Sequence, residues 1–499
     1  MESTLIRITE KLLIIYFLGY FVIDIMLFIV FLITFRHDKK IYESEIQKDE
    51  EFGKTSIIVP AYNEEVSILQ CIKMLSNLEY PDFEIIVVND GSKDKTLEKI
   101  LSSAVFEKSD KENEDIINTA EITNVYHTAD RKIVVIDKEN GGKADSINAG
   151  INYSSGEFVC TIDADSVLDR GSLKNVVVSM IRDKRVVVSG GQLAVSNDTV
   201  INDGRIVNFN MPKNILVLWQ ITEYIKSFLV SRIGLSKINS LLIMSGAFSL
   251  YRRKDLMKIG GFLTSLNHHR YLREIFRSTQ STVCEDMEIV VRLSRFHHEN
   301  KEPFKVVFLP KPLCWTEVPD KPVNLFKQRA RWHLGLAECM FLHRKMFFDP
   351  AYSTTGLFAF PYYFFLELLS PFIKLFSLIF IILVAAKGLI NTKWVLLMIL
   401  FITVTTALIT SIITVYLERW GEKQAVRNID ALRYKSAGDW IKLLFLSIAG
   451  DFSYSFFKIF AQLKGGIDFI RQKSEWNKFE RRGIRESASK EIHEVKVKT

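Results

Sequence analysis

Two carboxylates, Asp163 and Asp165, stand one residue apart directly after the apolar run Phe158–Ile162. Alternate residues at a strand terminus point the same way. Hard divalent cations bind through one or two carboxylates plus phosphate oxygens of a substrate. The pair is thus a candidate Mg²⁺ or Mn²⁺ site that would offset charge on a departing diphosphate, with a solvated acidic turn as the plainer alternative. Glu285 and Asp286 follow Cys284 and precede a helical run, Met287 to Phe296. Asp286 there can serve as a general base toward a hydroxyl, although the helix macrodipole alone favours acidic residues at that place. Asn140-Gly-Gly-Lys-Ala144 also opens a helix. Its glycines let backbone approach a ligand and Lys143 can reach a phosphate, but the spacing is not that of a phosphate-loop nucleotidase. Gln328, Arg331 and Trp332 share neighbouring faces of one helix. Arg331 can grip a phosphate bidentately and Trp332 offers a stacking surface for a sugar ring. An interfacial helix with snorkelling arginines has the same composition.

These groups are positioned by strand ends. Ile57-Ile-Val-Pro-Ala-Tyr-Asn-Glu-Glu65 is a strand ending in a polar turn, where Pro60, Tyr62 and Glu64 could help hold a nucleobase. Val87-Val-Asn-Asp-Gly-Ser92 repeats the design, with Asp90 just past the strand and Gly91 permitting the turn. Further β-branched runs are Ser56–Val59, Glu84–Val88, Lys132–Ile136, Val186–Val188 and Val306–Leu309, separated by helix-period stretches such as Glu64–Leu78 and Lys143–Tyr153. The pattern predicts a mostly parallel sheet covered on both faces, with its ligand outside the carboxyl ends of the strands. Ser102–Arg131 reads as a surface excursion, and Leu263–Ser281 as either a lid or a solvated loop.

The 499 residues are 48 % hydrophobic yet 25 % charged, so the apolar excess is segregated. Leu12–Phe35 is long enough to span a bilayer, and Arg36, Lys39 and Lys40 behind it put that end in the cytosol. Three later apolar regions, Leu357–Leu389, Trp394–Tyr416 and Trp440–Leu463, follow an amphipathic helix over Val323–Phe348 suited to a membrane interface. The first of the three carries Pro361 and Pro371, and a bend is expected there. The tail from Lys464 has ten Lys/Arg against six Asp/Glu, which favours the cytosol. Three clean crossings would leave it outside, so the number of crossings stays open. The net charge of +7 comes without a basic stripe interleaved with aromatics, so it does not argue for a nucleic-acid partner; juxtamembrane basic clusters explain it more simply. The five cysteines form no CxxC pair, which argues against zinc or redox motifs and for reduced thiols.

Taken together, Pro60-Ala-Tyr-Asn-Glu64, Asp90, Gly141-Gly-Lys143, Asp163-Ala-Asp165, Ser245-Gly-Ala247 with Tyr251-Arg-Arg253, Glu285-Asp286, Gln328-Arg-Ala-Arg-Trp332 and the late Glu475–Gly483 stretch resemble the membrane-embedded family 2 glycosyltransferases. These processive synthases make cellulose, mixed-linkage glucan, poly-N-acetylglucosamine and hyaluronan. The resemblance implies an α/β GT-A catalytic domain between an N-terminal transmembrane helix and a C-terminal helical transmembrane region. The expected division is 1–40 anchor, 41–320 cytosolic catalytic domain, 321–350 interface helix, 351–463 transmembrane channel and 464–499 basic cytosolic tail, in a multi-pass protein of the plasma membrane.

The resemblance also implies roles. Asp90 holds the uridine of a UDP-sugar, assisted by Pro60, Tyr62 and Glu64. Asp163 and Asp165 hold diphosphate and Mg²⁺ or Mn²⁺, with Asp165 nearest the metal. Lys143 supports the diphosphate, and Asp286, beside Glu285, is the base for the acceptor hydroxyl. Ser245 and Gly246 contact substrate, and Gln328, Arg331 and Trp332 grip the diphosphate and the growing polysaccharide. The activity implied is an inverting, processive transfer that passes polymer across the membrane, in contact with lipid; accessory subunits stay open. Cys284 in place of the usual Thr, and a lengthened segment between Gly260-Gly-Phe262 and Glu285, depart from the pattern on the acceptor side. The Gln-Arg-x-Arg-Trp form and the single N-terminal span favour UDP-glucose and a β-glucan, β-1,4 or mixed β-1,3/1,4. UDP-N-acetylglucosamine is the rival donor, since Ser245-Gly-Ala247 also resembles that branch. A catalytically silent glycan- or nucleotide-binding regulator and a transferase adding one sugar to a lipid are the remaining alternatives.

Overall fold

Runs such as Ile57–Val59 and Ile85–Val88 carry no polar side chain to turn toward water, and their residues are wholly buried; only a sheet covered on both faces accommodates them. The computed structural model describes residues 2–43, 52–109, 116–202, 205–276, 281–389, 436–472 and 485–486, with scattered positions between 393 and 419. Its strands, in chain order, are β1 (Thr55–Ala61), β2 (Phe83–Asp90), β3 (Glu107–Lys108), β4 (Ile122–His127), β5 (Ile133–Lys138), β6 (Phe158–Ile162), β7 (Val167–Leu168), β8 (Val186–Val195), β9 (Thr199–Asn202), β10 (Arg205–Phe209), β11 (Phe248–Arg252), β12 (Lys305–Thr316) and β13 (Arg485–Glu486). Ten of them form one sheet in the order β3-β4-β5-β2-β1-β6-β11-β8-β12-β7, and β10-β9-β13 form a small second one. The heart β5-β2-β1-β6 is parallel. β11 is antiparallel to both β6 and β8, while β8 and β12 run parallel. The result is a GT-A-like mixed sheet with a parallel core.

The expected strands and helices are present, with three differences. The helix expected over Glu64–Leu78 runs only from Ile68 to Ser76, after a turn in which the Glu64 and Glu65 amides bond the side chains of Thr96 and Asp94. The Ser102–Arg131 stretch is not merely a surface excursion. β3 and β4 within it extend the sheet antiparallel to β5, and Ile117 is wholly buried, its backbone paired with the Asn152 amide. The interface helix spans Pro322–Leu342 and then breaks at His343 into a short 3₁₀ turn, Arg344–Met346.

The N-terminal helix, Glu2–Glu43, contains a stretch, Thr4–Thr34, apolar and long enough to cross a bilayer. It docks through buried Leu27 and Phe31; a Cβ on Gly234 would lie 2.9 Å from the Leu27 carbonyl. Two further candidates are bent pairs, Thr355–Leu368 with Ser370–Ala386 and Ala437–Gly450 with Ser453–Ile470, each turning by 46°. By length and composition, the described residues thus hold one span, or three if each bent pair is one. Most of the expected span Trp394–Tyr416, the Glu475–Gly483 stretch and most of the tail lie outside the described residues. The helix Ala437–Ile470 packs along Pro322–Leu342. Gly465 allows this approach, since a Cβ there would meet the Ala330 carbonyl.

Candidate active site

Because β5, β2, β1 and β6 are parallel, their carboxyl ends open on the same edge, and each ends in a polar segment. β1 delivers Pro60, Tyr62 and Glu64; β2 ends at Asp90; β5 leads into Asn140–Lys143; β6 leads into Asp163 and Asp165. β11 runs the other way, and its Phe248 pairs with Ile162, so Ser245–Ala247 arrive beside Asp163. The helix Glu285–Glu299 starts here with Glu285 and Asp286, and the helix Pro322–Leu342 supplies Gln328, Arg331 and Trp332. All fourteen of these sequence-selected residues line one cleft of about 500 Å³, together with Asn140, Tyr224, Cys284 and Glu317. None of the described residues of Leu263–Ser281 lines it. Asn267 there ties back to Gly260 and Phe262, so the lid alternative gains no support.

Electrostatics within the cleft are set by Lys143. Its ammonium lies 2.6 Å from Asp163 Oδ1 and 3.2 Å from Glu285 Oε1, and it donates to the Gly246 carbonyl at 3.2 Å. Burial alone would depress its pKa, but Asp163 and Glu285 outweigh that and raise it. Asp286 accepts the Gly246 amide at 3.2 Å. Burial, reinforced by the charge of Glu285, pushes the Asp286 carboxyl up to about 6 against the opposing pull of Lys143, Arg331 and the Gly246 amide. Such a carboxyl, neutral in mild acid and charged above it, suits a general base. Gly246 packs close to the ammonium: a Cβ there would lie 3.0 Å from Lys143 Nζ.

Asp90 is held from four sides. It accepts from Lys138 Nζ at 2.8 Å, Asn140 Nδ2 at 3.2 Å, and the amides of Gly141 and Gly142 at 2.9 Å each. Gly142 adopts φ +89°, which an L side chain rarely takes. Lys138 also pairs with Asp145 at 2.7 Å, and both side chains are fully buried. Asp90 therefore fixes the turn that presents Lys143, in addition to lining the cleft. Lys138 and Asp145 were not legible as site residues, since strand-end register brings them together and no local motif marks them.

On the far wall, Arg331 Nη1 donates to the Val283 carbonyl at 3.1 Å, and Glu338 accepts from Thr282 Oγ1 at 2.9 Å and the Val283 amide at 3.0 Å. These contacts anchor the segment before Glu285 to the Gln328–Trp332 helix. Cys284 is buried and packs against Gly335. Burial and the Asp286 charge push its thiol well up, making it a packing group and not a nucleophile. All five cysteines are buried free thiols.

A second group, Asp255, His297 and Glu302, has metal-like spacing, but none of the three lines the cleft. Lys258 Nζ lies 3.0 Å from Glu302 and 3.6 Å from Asp255, so an ammonium already balances these carboxylates.

The chain is similar to known proteins in sequence and in fold. The chain is 25 % identical over 422 residues to the "Probable glycosyltransferase YdaM" of Bacillus subtilis, covering 82 % of this chain and 85 % of that one. It is 26 % identical over 280 residues to the "Poly-beta-1,6-N-acetyl-D-glucosamine synthase" of Staphylococcus epidermidis, covering 56 % of this chain and 54 % of the synthase. The match thus spans about half the length of the synthase. Among solved structures, a mannosyltransferase from Pyrobaculum calidifontis in complex with GDP-Man and Mn²⁺ superposes with a TM-score of 0.51 at 15 % identity, over 93 % of this chain and all of that one, a likeness of fold. The profile of the glycosyltransferase-like family 2 matches residues 53–335, the stretch that builds the cleft, and the chain belongs to that family.

Proposed function

We propose that the protein is an inverting, processive family 2 glycosyltransferase that polymerises an N-acetylhexosamine from a UDP-linked donor and passes the product across the plasma membrane. The observation that carries this proposal is the gathering in one cleft of a carboxylate pair (Asp163, Asp165), a buried carboxyl base (Asp286) and an indole wall (Trp332). The relatives named as N-acetylglucosamine polymer synthases support the amino sugar. UDP-glucose is the second reading, favoured by the Gln328-Arg-Ala-Arg-Trp332 form.

Asp163 and Asp165 fit a hard divalent cation. They are oxygen donors one residue apart past β6, and carboxylates outnumber the cations Lys143 and Arg331 along the cleft lining. Mg²⁺ or Mn²⁺ held there would offset the charge gathering on a departing diphosphate. The chain's own residues supply the rest. Tyr62, Glu64 and the Asp90-braced turn form the nucleoside end, and Lys143 swings from Asp163 and Glu285 toward the diphosphate. Trp332 stacks the acceptor sugar so that its hydroxyl meets the donor's anomeric carbon opposite the leaving group. The hydroxyl oxygen forms the new C–O bond while its proton passes to Asp286. The anomeric carbon–phosphate oxygen bond breaks, and UDP departs with the electron pair. The catalytic domain, approximately 41–320, faces the cytosol, and the apolar region 351–463 forms the exit path, with lipid around it.

Purified full-length protein in lipid, offered UDP-N-acetylglucosamine and UDP-glucose separately with Mg²⁺ or Mn²⁺, tests the donor. UDP release and a hexosaminidase-sensitive polymer from the amino sugar are expected. Release from UDP-glucose alone, with a glucanase-sensitive product, would establish the second reading instead.

A further inference from the structure

Arg329 lies within the Gln328–Trp332 motif but does not line the cleft. Its side chain is only 4 % exposed. One flank of the guanidinium lies 4.1 Å from the centre of the Trp332 ring. Its Nη2 meets Glu223 Oε2 at 2.5 Å. Glu223 closes the helix Ile215–Glu223, and the next residue, Tyr224, lines the cleft. The Glu223 carboxylate also accepts Tyr454 Oη at 2.8 Å and Lys458 Nζ at 3.1 Å, both from the helix Ala437–Ile470. One turn earlier Trp219 stacks on Tyr454 with ring centres 5.9 Å apart, and its indole N–H donates to the Leu446 carbonyl at 3.0 Å. That carbonyl lies beside the 46° bend of the last helix. A Cβ on Gly450 would lie 2.8 Å from the Trp219 ring, so a side chain is wedged where the helix turns, a recognised cause of kinks.

We propose that Arg329 and Glu223 are positioning residues for Trp332, through which the last helix, by Tyr454 and Lys458, sets the acceptor wall of the cleft. This rests on the proposed role of Trp332 in stacking the acceptor. A buried guanidinium needs its counter-charge, so Arg329 follows Glu223. Glu223 follows the two donors of the bent helix, and the indole that stacks on Arg329 follows in turn. A shift of the last helix at its bend is thereby transmitted to the sugar-binding surface. The nucleoside end of the donor site, built on the ends of β1 and β2, lies outside this linkage.

The test uses the full chain labelled with 5-fluorotryptophan, whose seven tryptophans give seven fluorine resonances. The Trp332 signal is the one missing in Trp332→Phe. Glu223→Gln replaces the ion pair with a neutral contact, and the milder Tyr454→Phe removes the hydroxyl that donates to Glu223 and accepts from Arg329 at 3.3 Å. In both variants the Trp332 and Trp219 signals are expected to move while the remainder hold their positions. Transfer to sugar should fall by about 10- to 100-fold, the scale of an ångström-sized misplacement, while donor hydrolysis to water persists. A Trp332 signal unmoved in both variants, or moving only together with all the others, overturns the proposal, as does an equal loss of transfer and hydrolysis. The spectra are recorded without donor, so a failure of the assigned reaction shows separately as an inactive wild type.

Discussion

Asp286 and Glu285 share one helix start and the same ammonium nearby, yet only Asp286 touches the Gly246 amide. Its carboxyl keeps its proton until about pH 6, for reasons of burial first and the Glu285 charge second. The base must be ionised to act, so kcat/KM should rise tenfold per pH unit below about 6 and level off above it. Removing the neighbouring charge with Glu285→Gln lowers the Asp286 pKa, and the acid limb should move to lower pH; a limb that stays or moves upward in the pH–rate profile would contradict the coupling. Asp165→Asn should abolish metal-stimulated turnover while UDP binding, followed by calorimetry without metal, persists. Unchanged metal stimulation would remove Asp165 from that role. Residue types were legible here because carboxylates and glycines at strand ends announce themselves. The braces were not: Lys138 meets Asp90 only through the β2–β5 register, and Arg329 finds Glu223 at a separation of 106 residues.

The helix Glu285–Glu299 must present Asp286 in register with Lys143, and a buried ion pair fixes it. Arg292 and Glu288 are fully buried at 2.7 Å, His343 reaches Glu288 at 3.2 Å, and Arg292 donates to the carbonyls of Ile259 and Gly261 at 2.7 Å each. The same loop accepts Asn148 of the Lys143 helix, whose amide exchanges two hydrogen bonds with Phe262. Arg292→Met leaves Glu288 buried against a neutral neighbour and should cost about 3–5 kcal/mol, read as a drop of roughly 10 °C in Tm. A change within a degree would show the pair to be dispensable. Elements with continuous apolar runs could be read directly from the chain. β4 could not, because its residues are mostly half-buried, with no continuous apolar run, and it is held as a strand by pairing with β3 and β5. The first catalytic-domain helix starts later than its periodicity suggests, because Glu64–Ser67 form a turn whose residues have ordinary helix propensity.

Across the whole molecule, an anchor, a cleft and a bent last helix are joined by buried contacts. Leu12, Ile15, Leu18 and Ile33 of the N-terminal helix are more than half exposed, an apolar surface that water does not tolerate at this extent. The full chain should therefore stay with the membrane fraction through an alkaline carbonate wash, and its release into the supernatant would count against a spanning helix. The overall order of helix, α/β domain and apolar helices was legible because composition changes abruptly along the chain. The close crossing of Pro322–Leu342 by Ala437–Ile470 was not, since it depends on Gly465 facing Ala330. The measurement that most directly tests the cleft as an inverting transferase site compares wild type with Asp286→Asn in lipid, each offered UDP-N-acetylglucosamine and Mg²⁺ or Mn²⁺. Wild type should release UDP and build polymer, and the variant should bind UDP equally well while losing at least about 10²-fold in rate. A variant that polymerises at the wild-type rate would contradict the assignment of Asp286 as the base.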